Sequence, residues 1–393
     1  MSMDRSRVKG EWCALASAIV VVVSGAIGLV PAANPAATSE NAVLSDLRLI
    51  ESNTPVRQVP GWKPPKKIVV SAAYGLGGNI EELRKVAPGV EIVLVKDRAE
   101  TLAAVADADA YIGACDPALI VAAKHLFWLQ TGGAGVEHCV TLPEMRQRKI
   151  LLTNAQHVQA PIIAEHVLAL MFGISRGFPV WIPAQAAGHW ARANAPPIGT
   201  PTAAQSFIME VIDGKTMLVV GLGGIGTEVA KRAHALGMRV IATRNSGHNG
   251  PDFVSYVGLP GELLTLAKDA DVIVNATPLT DETKGMFNAK FFDVLKPTAI
   301  FINVGRGGSV VTADLVDALK SKKLAGAGLD VTDPEPLPDG HPLFSAPNVI
   351  ITPHVAGRAD VPRERMEAVV KENVRRYVAG DKMLSVVDPE RGY

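Results

Sequence analysis

The chain has 393 residues, 39 lysines and arginines against 39 aspartates and glutamates, and 48% apolar residues. Such a length suffices for two domains with sizeable cores, and the balanced charge leaves no net field to draw in nucleic acid. The three cysteines, Cys13, Cys115 and Cys139, form no CxxC pair, so neither a disulfide framework nor a structural metal is expected.

Arg5, Arg7 and Lys9 precede the apolar run WCALASAIVVVVSGAIGLV at 12–30, and the next charge is Glu40. The run reads as a signal peptide or an N-terminal membrane anchor. Its 19 residues approach the roughly 20 that span a bilayer. Small residues around Ala32 offer a cleavage site, and a buried core helix is the alternative reading. Residues 1–40 are therefore assigned to targeting or anchoring. The Pro- and Ala-rich stretch 41–65 reads as a tether.

Next come KKIVVSAA, VEIVLV, AYIG, FWLQT and ILLTN, short apolar runs separated by helical stretches up to residue 154. This alternation predicts a parallel sheet with helical crossovers. The segment 160–176, APIIAEHVLALMFGISR, is apolar on most sides and predicts a helix buried between layers. Residues 177–213 are rich in Pro, Ala and Gly and read as an interdomain connection. A second alternating series runs from Thr216 to about Thr352. In the closing segment 361–379, Met366, Val369, Val370, Val374, Tyr377 and Val378 fall at helical spacing. That face is expected to pack back on the first domain.

The second series opens with TMLVVGLGGIGTEVAKRAHALGMRVIATRNSG. A strand at 216–220 leads into Gly221-Leu222-Gly223-Gly224-Ile225-Gly226. A helix follows with Val229, Ala230, Ala233 and Leu236 on one face, then a strand at 239–243. A GxGxxG between strand and helix is a dinucleotide-binding signal. Gly221 permits the tight turn, Gly223 lets a pyrophosphate approach the backbone, and Gly226 lets helix and strand pack closely. Unpaired N–H groups at the helix start face the phosphates. Where NAD-binding chains place an acid after the second strand, this chain has Arg244, followed by Asn245 and Ser246. A guanidinium pairs with a 2′-phosphate that a carboxylate would repel, so NADP is favoured over NAD. Thr277 and Pro278 end a later strand and are expected to border the cofactor.

From about residue 127 to 357 the chain resembles the D-isomer-specific 2-hydroxyacid dehydrogenases. The matching stretches are WLQTGGAGVEH, AEHVLAL, GLGGIG, ATPLTDETKGMFN, FINVGRGGSVV, GAGLDVTDPEPLP and NVIITPHVAG, in that order. Residues 66–126 fit only by rhythm, and 1–65 have no counterpart. The resemblance implies an α/β fold of two Rossmann-like or flavodoxin-like parallel-sheet domains. The dinucleotide-binding domain, 181–357, is inserted in a substrate domain built from 66–180 and the returning helix of 358–393. Catalysis occurs in the cleft, and a homodimer is expected.

The resemblance also implies an Arg, Glu, His trio at Arg306, Glu335 and His354. A guanidinium can bond both the carboxylate and the carbonyl of a 2-oxo acid, and it opposes charge growing on the carbonyl oxygen. Imidazole can give or take the proton near neutral pH, and a carboxylate beside it fixes its orientation. Family members that oxidise formate carry a different residue as the histidine's partner, so Glu335 points to hydroxy acids. Ala134 and Gly135 match a loop whose amides meet the substrate carboxylate. Asp330 matches an acid near the nicotinamide amide, with a purely structural role as the alternative. His166 is expected to pack rather than react, and His157 has no assigned role. The implied activity is hydride transfer between NAD(P)H and a small 2-oxo acid, giving the D-2-hydroxy acid. Arg244 tilts it toward glyoxylate or hydroxypyruvate.

Two other classes stay open. An exported bilobed solute-binding protein would explain the leader and the α/β rhythm, though not the trio. A regulatory protein would bind the dinucleotide as a signal. Location is divided too: the N-terminus points to export or anchoring, the cofactor to the cytoplasm.

Overall fold

Apolar runs without alternation belong to strands covered on both faces, and the computed structural model arranges them in two parallel sheets. It describes residues 43–45, 47, 49–72, 80–190, 210–359 and 362–389, all within one unit, Glu40–Tyr393. The expected leader at 12–30 lies outside the described residues.

The first sheet holds β1 (Lys67–Ser71), β2 (Glu91–Val95), β3 (Ala110–Ile112), β4 (Trp128–Gln130) and β5 (Leu151–Thr153). Their order is β2-β1-β3-β4-β5. The second sheet holds β6 (Thr216–Val220), β7 (Arg239–Thr243), β8 (Tyr256–Gly258), β9 (Val272–Asn275), β10 (Ile300–Asn303), β11 (Gly326–Leu329) and β12 (Val349–Ile351). Here the order is β12-β11-β10-β9-β6-β7-β8. Every pairing in both sheets is parallel. Each expected strand up to residue 154 is present, trimmed at its ends.

Apolar layers cover both faces of the second sheet. Phe287, Phe291, Phe292 and Phe301 fill one with the helix Thr312–Lys320. The helices Ala160–Ser175 and Gly224–Ala235 fill the other. A Cβ added at Gly326 or Gly328 of β11 would press on Ile174 or Leu170 at 2.6 and 2.9 Å. The helix expected between layers thus lies directly on the second sheet, and the packing changes sheet before residue 180. Being apolar nearly all round, it carried no mark of which sheet it would cover. Val229, Ala230 and Ala233 are buried as expected, whereas Leu236 caps its helix and is 38% exposed.

The C-terminal helix Pro362–Ala379 returns to the first sheet. Its Met366, Val369, Val370, Val374 and Tyr377 join Ile68, Val70, Ile112 and Trp128 in one core. The second sheet is therefore an insertion in the chain that builds the first. A buried polar pair locks the junction, Asn373 Nδ2 donating to Gln130 Oε1 at 2.9 Å, while within the sheet Trp128 Nε1 donates to Thr153 Oγ1 at 2.8 Å.

Three expectations need correction. The stretch read as a tether is docked over residues 49–65. Val56 is buried, and the Ser52 and Val56 amides bond Met383 and Asp381 carbonyls at 2.8 and 2.9 Å. Composition registered the prolines but not this pairing, in which Ser52 and Met383 stand 331 positions apart. The interdomain connection begins with a helix, Phe178–Ala186, although it contains prolines. Finally, Cys115 and Cys139 form a disulfide with Cα atoms 5.7 Å apart. Sequence spacing hid it, because parallel neighbours β3 and β4 bring the segments that follow them together.

Candidate active site

A parallel sheet binds ligands beyond the strand ends where its order reverses. That point lies at β6, flanked by β7 on one side and β9 on the other. The turn after β6 carries Gly221 at φ 93°, in the left-handed region, and a Cβ there would press on Ala276 and Thr277. A Cβ at Gly226 would overlap the Gly221 carbonyl, so helix and strand need a glycine there. At Gly223, by contrast, nothing lies within 4 Å of an added Cβ. Gly223 caps the helix Gly224–Ala235, so an open face and a helix N-terminus coincide, as a pyrophosphate requires. Ile225 packs partly buried behind the loop. Arg244 follows β7, its Nη1 donating to the Asn249 carbonyl at 2.8 Å. Its Nε is buried and has no partner among the described residues. Asn245 and Ser246 are exposed beside it. The residues present therefore fit a dinucleotide.

Arg306 stands after β10 on a buried polar scaffold. The Asn303 amide and the Ser309 hydroxyl donate to its carbonyl at 3.1 and 2.7 Å. Asn275 links them, donating to Asn303 Oδ1 at 2.9 Å and to Ser309 Oγ at 2.8 Å. Asn275 Oδ1 in turn accepts from the Thr277 amide and hydroxyl. Glycines let these loops touch: a Cβ at Gly305 would lie 2.6 Å from the Thr277 carbonyl, and one at Gly307 would overlap the Thr332 carbonyl.

Glu335 follows β11 and His354 follows β12. His354 Nδ1 and Glu335 Oε1 lie 2.6 Å apart, both half-exposed. His354 sits at φ 53°, and its amide bonds the Asp330 carbonyl at 2.8 Å. Asp330 anchors the same loop from below. Its buried carboxylate accepts from Thr352 Oγ1 at 2.6 Å and from the Val355 and Ala356 amides at 2.9 and 3.0 Å. His166 reaches this network through Thr352 Oγ1 at 2.9 Å.

Strand order thus sets Arg306, Glu335 and His354 at the ends of three successive neighbours, with Thr277 and Pro278 after β9 completing the run to the glycine turn. The first sheet supplies the opposing loop. The Ala134 and Gly135 amides have no acceptor among the described residues, and a Cβ at Gly135 would overlap Arg306 Nη2. Two residues stand out beyond the sequence-based set. Glu137 pairs with Arg306, its Oε1 2.9 Å from Nε. His157, at φ 71°, lays its ring against Gly224. Glu137 lies in the quoted stretch WLQTGGAGVEH and His157 between two quoted stretches, and only tertiary contact marks either of them.

A glycine turn at a sheet switch point, with an arginine and a carboxylate–imidazole pair at the ends of neighbouring strands, fits a two-domain α/β oxidoreductase with a dinucleotide-binding domain. The family model described as D-isomer specific 2-hydroxyacid dehydrogenase, NAD binding domain, matches residues 168–356. A glyoxylate reductase of Pyrococcus furiosus is 33% identical over 254 residues, covering 64% of this chain and 73% of the relative. Among solved structures, a D-isomer specific 2-hydroxyacid dehydrogenase family protein from Aeromonas salmonicida has a TM-score of 0.68 at 28% identity, covering 83% of this chain and 100% of that one. An NADPH-dependent glyoxylate/hydroxypyruvate reductase from Sinorhizobium meliloti, solved with NADP and sulfate, also gives 0.68, at 27% identity and with 84% and 100% coverage. The chain belongs to the D-isomer-specific 2-hydroxyacid dehydrogenases, oxidoreductases acting on a CH–OH group. Neither the solute-binding nor the dinucleotide-sensing alternative draws support from these matches.

Proposed function

We propose that the protein reduces a small 2-oxo acid, glyoxylate or hydroxypyruvate, to the D-2-hydroxy acid with NADPH. The observation that carries this reading is the 2.6 Å contact of His354 with Glu335 at the ends of the two strands that follow Arg306's strand in the sheet. When bound, the nicotinamide supplies or accepts the hydride. Arg306 bonds the substrate's carboxylate and carbonyl and opposes the charge that grows on the carbonyl oxygen. Glu335 occupies His354 Nδ1, so the proton passes through Nε2, given in reduction and taken in oxidation. The Ala134 and Gly135 amides meet the carboxylate. The Gly221–Gly226 turn holds the pyrophosphate, with Asp330 fixing the His354 loop below.

NADP preference is assigned to Arg244, with Asn245 and Ser246 beside it. The buried, unpartnered Nε supports it, as does the NADP bound by the Sinorhizobium relative. The test is a panel of glyoxylate, hydroxypyruvate and pyruvate with NADPH and with NADH. Turnover with a higher kcat/KM for NADPH is expected. No turnover of any 2-oxo acid ends the reading; parity or an NADH preference ends only the role of Arg244.

The assembly is assigned as a homodimer, supported by the exposed apolar side chains of the helix Phe178–Ala186. The segment 12–30 is assigned to export or membrane anchoring. The Cys115–Cys139 disulfide supports this, since disulfides persist in oxidising compartments. Cell fractionation with thiol alkylation tests it: cytoplasmic protein with both thiols reactive would reject export.

A further inference from the structure

The pairing of Arg306 with Glu137 has no part in the chemistry above. We propose that Glu137 is a positioning residue, holding one edge of the Arg306 guanidinium so that the other edge faces the 2-oxo acid. This rests on Arg306 as the substrate-binding arginine.

A guanidinium has five N–H donors in a planar fork. Glu137 takes two, with Oε1 2.9 Å from Nε and Oε2 3.4 Å from Nη2. Nη1 donates to the Gly305 carbonyl at 2.7 Å. One N–H remains on Nη1 and one on Nη2, and a carboxylate or a carboxylate-and-carbonyl pair needs two adjacent donors. The two side chains are only 28% and 24% exposed, so solvent screens the pair weakly. An arginine free to rotate about its long stem would lose rotamer entropy on binding substrate; held by Glu137, it has lost that entropy already. Gly135 clears the space, because a Cβ there would overlap Nη2.

Glu137 itself is fixed at its base. It opens the short helix Glu137–Val140, and Cys139 ties that helix to Cys115. The carboxylate comes from the first-sheet side and the guanidinium from the second. The pair therefore bridges the two walls of the cleft and fixes the arginine between them.

The experiment compares wild type with the nearly isosteric Glu137→Gln and with Glu137→Ala on glyoxylate and hydroxypyruvate, alongside NADPH affinity by fluorescence and Tm. Both variants should raise KM for the 2-oxo acid, lowering kcat/KM on the order of tenfold to a hundredfold, with NADPH affinity unchanged. Combined with Arg306→Lys, Glu137→Gln should cost little more, because an ammonium has no second edge to orient. Additive losses would overturn the proposal. So would an unchanged KM, or a lowered one, which would make Glu137 a competitor of the substrate. Wild-type turnover matched by the variants defeats this inference alone; no wild-type turnover defeats the functional reading and this inference with it.

Discussion

At Arg306, three of the five donors already have partners, and the side chain is held from two domains. In the proposed mechanism, truncation to alanine removes both the substrate's counter-charge and the stabilisation of the developing oxyanion. Arg306→Ala should therefore lower kcat/KM about 10²-fold or more while NADPH binding stays intact. His354→Ala should lower kcat by about 10²–10⁴-fold with a much smaller change in KM, because imidazole moves the proton and does not carry the carboxylate. Steady-state kinetics of the two variants check this split. Near-wild-type turnover by His354→Ala would remove the imidazole from the proton path. The scaffold beneath these residues is a matter of buried amides rather than charge. Asn275 and Asn303 would each leave unpaired polar groups if truncated, a cost of about 1–3 kcal/mol per group.

Among the elements, the C-terminal helix Pro362–Ala379 joins more of the chain than its position suggests. On it, Glu372 accepts from Arg375 at 2.9 Å and from Arg376 at 2.6 Å. Arg376 also reaches Glu51 Oε1 at 2.6 Å, pinning the stretch that precedes the first strand. Burial pushes the Glu372 carboxyl up, but the hydrogen bonds from Arg375 and Arg376 outweigh it and hold the group below the usual carboxylate range. A carboxyl lowered on folding contributes stability that is present above its unfolded pKa, about 4.3. That contribution is lost as pH falls through the lower folded value. Glu372→Gln should lower Tm at pH 7, and the gap from wild type should close below about pH 4. Thermal melts across that range measure it, and a gap independent of pH would assign the effect to packing alone. The helix Ala160–Ser175 makes a different point. It shows little amphipathic pattern because its exposed line, Glu165, Ala169 and Phe172, is itself mostly apolar, and Gly326 and Gly328 mark where its buried face rests.

For the whole molecule, exposed apolar side chains such as Val121, Leu264 and Phe344 stand apart from one another, but a few lie together. Phe178 and Ile182 are 48% and 56% exposed on the helix Phe178–Ala186, with Phe172 nearby on the preceding helix. Grouped apolar exposure marks an interaction surface, and a second copy of the chain is the proposed occupant. Sedimentation should give a dimer for wild type and a smaller species for Ile182→Glu. A monomeric wild type at micromolar concentration would reject the assignment.

The local chemistry was written in the chain. Strand positions and the glycine turn with its distinct demands at 221, 223 and 226 follow from short motifs, because backbone conformation is a local property, and the family resemblance adds Arg306, Glu335 and His354 as candidates. Contacts between distant segments were not legible in that way. The disulfide of Cys115 with Cys139, the docking of residues 49–65, the sheet beneath the helix Ala160–Ser175 and the grip of Glu137 on Arg306 each join groups whose proximity depends on strand order. Strand order is set by which faces bury which, a balance struck over the entire core. Glu137 shows the difference most clearly: in GGAGVEH it is one more loop acid, and only the meeting of the two sheets gives its carboxylate a guanidinium to hold.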